Sequence, residues 1–136
     1  MKPASNYLIL ITSMIFLCLS CEIEKDKTPQ ELLEGKWNIV SSELLGTVIP
    51  GDGSYLKFNA CNMQCTGEDY KASDNSTGTF TYTLNGDAVS ITISDTLSAG
   101  GSYNATWDIL ELTETDFRMV GNTILGSLKI EMLKSN

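Results

Sequence analysis

Between Thr77 and Ser94 the chain repeats with a period of two. Thr77, Thr79, Thr81 and Thr83 are interleaved with Gly78, Phe80, Tyr82 and Leu84. Successive side chains of a strand point to opposite faces, so this run sends threonine outward and bulk inward. Asn85-Gly86 follows, a strong hairpin-turn dipeptide, and then Val89, Ile91 and Ile93 alternate with Ser90, Thr92 and Ser94. A helix cannot use such a period. The segment predicts a hairpin with one apolar face, which needs further strands to bury it.

The same alternation recurs on both sides. Trp37 to Leu45 reads as a strand. Ser54 to Ala60 places Leu56, Phe58 and Ala60 on one face and Tyr55, Lys57 and Asn59 on the other. Beyond an Asp95–Gly101 loop, Tyr103, Ala105, Trp107 and Ile109 oppose Asn104, Thr106 and Asp108. Thr113–Asp116 reads as a turn, Phe117–Gly121 as a strand, and Ser127–Leu133 as a last strand carrying Leu128, Ile130 and Met132. One short helix precedes them. Thr28 is a candidate N-cap, Pro29 fits the first helical position, Glu31 completes a capping box, and Gly35 offers a stop. Short antiparallel strands at hairpin spacing imply an all-β domain, a sandwich or a closed barrel.

The first twenty residues read as a targeting segment. Lys2 is followed by an uncharged apolar run from Tyr7 to Leu19, about thirteen residues where a spanning helix needs roughly twenty. Leu19-Ser20-Cys21 resembles the lipobox of bacterial lipoproteins, with Cys18 where leucine is usual. The resemblance implies a signal peptide over 1–20 and an acyl (palmitate-type) anchor on Cys21. Plain cleavage near Ser20 is the alternative, though it would leave a free thiol in an oxidising compartment. Residues 21–28 form a charged tether, and 29–136 the folded domain. Glu22, Glu24 and Asp26 resemble an acidic surface-export signal, with an ordinary linker as the alternative. The expected address is the outer membrane, facing the periplasm or the cell exterior.

Charge narrows the function. With Lys2 removed, 17 acids stand against 8 bases, a net −9, which repels nucleic acid. The sequence has no histidine, which removes the commonest general base and zinc ligand. Glu31/Glu34, Glu68/Asp69 and Glu111/Glu114 read as solvated faces or loops rather than an acid–base pair. No enzyme activity, metal or cofactor is expected, and a monomer is. Glu68–Asn75 is polar enough to wrap calcium but lacks regular acidic spacing; a hydrated loop is the alternative. Cys61 and Cys65 remain as a pair in an oxidising place, favouring a disulfide over a two-thiol zinc site. Four extended residues span about 13 Å, so a bridge requires the chain to turn between them.

Gly35-Lys36-Trp37 after a short helix resembles the Gly-x-Trp signature of lipocalins. Gly78-Thr-Phe-Thr-Tyr82, Leu84–Thr92 and Trp107–Thr113 resemble the lipocalin-like domain of small Bacteroidetes-type outer-membrane lipoproteins. The resemblance covers roughly Leu32 to Leu133. It implies an up-and-down antiparallel barrel of about eight strands, with Trp37 packed across one closed end. Lipocalins usually lay an arginine over that tryptophan, and the one arginine here is Arg118.

Three uses of such a barrel stay open. Phe80, Tyr82, Ile91, Tyr103 and Trp107 share the inward phase and would line a cavity for a small hydrophobic ligand. The same side chains would equally fill a solid core. Outward Tyr55 and Tyr70 would serve a surface module that binds protein or glycan. Asp95-Thr96-Leu97 resembles a short O-glycosylation motif at Thr96.

Overall fold

The computed structural model describes residues 26–61, 64–94 and 103–135. The leader, Cys21 with the early tether, and the Asp95-Thr96-Leu97 motif lie outside the described residues. Helix α1 (Pro29–Leu33) starts on the capping box that the sequence signals. Thr28 Oγ1 accepts from the Glu31 amide at 3.3 Å, and the Glu31 carboxyl accepts from the Thr28 amide at 2.7 Å. Leu33 is fully buried.

Nine strand segments follow: β1 (Gly35–Leu44), β2 (Thr47–Pro50), β3 (Tyr55–Phe58), β4 (Thr66–Lys71), β5 (Ser76–Asn85), β6 (Ser90–Ser94), β7 (Ala105–Leu112), β8 (Asp116–Thr123) and β9 (Gly126–Lys134). From β3 onward each strand pairs antiparallel with the next, and β9 returns to β1 from Trp37↔Lys134 to Leu44↔Leu128. β3 pairs with Gly35–Asn38 of β1, and β2 pairs with Ser41–Leu44 farther along. β2 and β3 are thus two halves of one broken strand, and the result is a closed eight-stranded antiparallel barrel with one short helix. Among the described residues closure removes free sheet edges except along β2, which pairs there only with β1.

Helix α1 lies over one end. Trp37 Nε1 donates to the Leu33 carbonyl at 2.7 Å, and Lys134 Nζ donates to the Leu32 carbonyl at 2.7 Å. Trp37 meets Phe117 edge-on at 5.5 Å, and Phe117 meets Phe58 at 6.0 Å. Phe58 in turn contacts Phe80 at 5.4 Å and Tyr82 at 5.2 Å. The cation over the Trp37 ring is Lys134, 4.9 Å from its centroid. Arg118 points outward from β8 and pairs with Glu111. Its strand position explains this, because Phe117 and Met119 on either side take the inward phase.

Several sequence expectations change. The polar run read as a loop is in part strand β4, with only Ala72–Asn75 turning. Its two inward positions are Gly67 and Asp69, so no apolar alternation marks it. β2 is exposed along its length and carries no inward phase at all. Ala60 lies beyond the end of β3 and is exposed. The hairpin turn is longer than a two-residue loop: Asn85 pairs with Ser90, positive φ at Gly86, Asp87 and Ala88 carries the reversal, and Val89 is exposed. Cys61 and Cys65 are disulfide-bonded with Cα atoms 4.5 Å apart, so the chain does turn between them.

Candidate functional site

The inward face is not uniform along the barrel. Near α1 it is filled by rings, and along the whole barrel register explains how so many rings fit. Phe80 stands directly opposite Gly67, and Trp107 opposite Gly121. A Cβ on Gly67 would lie 2.2 Å from Phe80 Cζ, and one on Gly121 would lie 2.7 Å from Trp107 Cε3. Each glycine therefore leaves room that a neighbouring ring occupies. Tyr82 belongs to the same end: its hydroxyl accepts from Gln30 Nε2 at 2.7 Å and donates to the Asn59 carbonyl at 2.9 Å. Burial raises its phenol pKa, partly offset by the Gln30 hydrogen bond. Tyr82 thus ties the helix to the chain after β3.

Toward the other end some of the inward side chains are only partly buried. Leu44 of β1 stands opposite Leu128 of β9 on the inward phase, and both are only partly buried, as are Ala105 and Tyr103. Trp107 Nε1 donates to the Tyr103 carbonyl at 2.9 Å, and the two rings lie 6.3 Å apart at 48°. The five residues expected to line one cavity lie together. Phe80, Tyr82, Ile91 and Trp107 are all buried in one continuous core cluster, and of the five only Tyr103 is partly buried, packed against it beside Trp107.

Asp69 was not anticipated as part of this surface. β4 holds it between Leu56 of β3 and Gly78 of β5, with 3% of its surface exposed. Its Oδ1 is buried without a hydrogen-bond partner among the described residues. Ser54, the other buried polar side chain, is satisfied: its hydroxyl accepts from the Ala72 amide at 3.0 Å. Burial pushes the Tyr103 phenol up to about 12, with the Asp69 and Asp52 carboxylates adding to the shift. Asp52 itself is held below the usual carboxylate range, first by the Ser54 hydroxyl and then by the Ser54 amide. The signal for Asp69 was its even spacing from Gly67, legible only once β4 is known to be a strand.

The outer wall carries a different feature. Tyr55 and Tyr70 stack at 5.0 Å and 20°, and Lys36 Nζ sits 4.0 Å from the Tyr55 centroid. Among the described residues no group of three or more His, Cys, Asp or Glu is placed to hold a metal ion, and no helix is long and apolar enough to cross a membrane. A family model described as a lipocalin-like domain matches residues 33–119. No curated protein matches the chain.

Proposed function

The chain belongs to the lipocalin-like domain family, and from that premise we propose that it is a membrane-anchored binding protein holding a small, largely hydrophobic molecule inside its barrel. The observation that carries this reading is the asymmetric interior. One end is plugged by α1, Trp37 and the Phe58–Phe80–Tyr82–Phe117 rings. The other presents partly buried apolar side chains beside one buried carboxyl. Ligand sites have that composition, an apolar lining with a few polar groups. Binding rather than catalysis fits an interior in which Asp69 is the one buried carboxyl among the described residues.

The test uses the mature chain carrying Cys21→Ala, which removes the acylation site and the need for detergent. N-phenyl-1-naphthylamine, a neutral apolar probe, should gain fluorescence on binding. Ala105→Trp puts bulk on the inward phase next to Ile93 and should weaken the probe by about tenfold or more while the melting temperature holds. A wild type that binds no probe, paired with a strongly destabilised Ala105→Trp, would overturn the reading, because a solid core responds to overpacking with instability.

The Lys36–Tyr55–Tyr70 stack supports a second reading, a surface module for glycan or protein. Glycan binding abolished by Tyr55→Ala, with no probe uptake, would select it. Anchoring rests on Cys21, an outer-membrane address follows from it, and fatty-acid labelling of the full chain should vanish in Cys21→Ala. Label that survives the substitution sinks the anchor.

A further inference from the structure

A buried carboxyl oxygen without a donor lowers the stability of a fold, and native interiors rarely keep one. Asp69 is such a group, and it lies on the inward face of β4. The groups acting electrostatically on neighbouring Tyr103 are the Asp69 and Asp52 carboxylates, both negative. Lys71, the basic residue at the end of β4, lies 3.7 Å from Asp74. Tyr103 meanwhile is only partly buried and lies 6.3 Å from the buried Trp107 ring, and aromatic faces attract cations when desolvated.

We propose that Asp69 is the polar anchor of the ligand site and that the ligand is an organic cation, an amphipathic amine. Its protonated nitrogen donates to Asp69 Oδ1 while its apolar part lies against Tyr103. This rests on the carrier reading above and specifies the ligand's chemistry. The pairing also accounts for retaining an acid in an otherwise apolar lining, since a bound ammonium supplies the missing donor and a charge-assisted hydrogen bond.

The experiment displaces N-phenyl-1-naphthylamine from the mature Cys21→Ala chain with octylamine, octanol and octanoate, which share a tail and differ in head group. Octylamine should displace the probe at about one tenth the concentration octanol requires, with octanoate weakest. Asp69→Asn should bring amine and alcohol to within about twofold of each other while the probe still binds. Asp69→Leu should show the same loss of preference and melt no lower than the parent, since it removes an unpartnered carboxyl. Equal displacement by amine and alcohol in the parent, or a preference that survives Asp69→Asn, overturns the assignment and leaves the carrier reading standing. An Asp69→Leu chain that melts well below the parent also overturns it, by showing that Asp69 serves the fold. Failure of the probe and all three competitors to bind overturns the carrier reading and this inference with it.

Discussion

Gly121→Ala separates a glycine that leaves room for a ring from an ordinary strand position, and it does so through the sign of the effect. The φ of Gly121 is not positive, so alanine is compatible with the backbone there. On chain entropy alone the change would stabilise the fold by about 0.4–1 kcal/mol. The added Cβ, however, would sit 2.7 Å from Trp107 Cε3, 2.9 Å from Cδ2 and 3.1 Å from Cζ3. The indole has little freedom to yield: it is 1% exposed and its Nε1 is held by the Tyr103 carbonyl. Overpacking of this kind typically costs about 1–3 kcal/mol, so the clash exceeds the entropic gain and Gly121→Ala destabilises the protein. Removing the indole should reverse the outcome. Trp107→Leu alone costs about 2–4 kcal/mol, somewhat under the roughly 3–5 for truncating an aromatic to alanine. Within that background Gly121→Ala becomes neutral or stabilising, a coupling of about 1–3 kcal/mol between the two positions. Urea unfolding of the four chains, followed by far-ultraviolet circular dichroism, measures it. Additive effects, or a stabilising Gly121→Ala in the parent chain, would refute the packing argument.

Replacing Cys61 and Cys65 together with serine should lower stability by about 2 kcal/mol, the chain-entropy value for so short a loop, and thiol titration of the parent should find neither group free; equal urea midpoints would contradict this. The raised pKa of Tyr103 carries a pH signature. Its folded value of about 12 exceeds the ordinary 10.0, so the folded chain keeps the proton that the unfolded chain loses. The resulting stability is intact below pH 10 and is lost as pH rises toward 12. Tyr103→Phe should flatten that alkaline limb of the stability curve, and a limb unchanged by the substitution would show that the phenol is not buried as described.

The fold class was legible because alternation is a local property of the chain. Thr77–Leu84 and Val89–Ser94 declare their inward faces without reference to anything distant, and the Thr28–Glu31 capping box declares its helix in four residues. The turn between the paired cysteines followed from chain reach alone. What escaped had no alternating apolar signal to read. β4 places a glycine and an aspartate inward, and β2 has no buried face, so neither resembles a strand in isolation. Both become strands because partners already in place supply backbone hydrogen bonds: Phe80 lies over Gly67, and Ser41–Leu44 fixes β2. The cation over Trp37 was likewise a tertiary decision. Lys134 reaches it because β9 closes on β1 at Trp37↔Lys134, a pairing 97 residues apart in sequence. Asp69 shows the same division. Its charge is written in the sequence, but its burial is decided by closure of the barrel around it, since a strand's two faces are equivalent until one is enclosed.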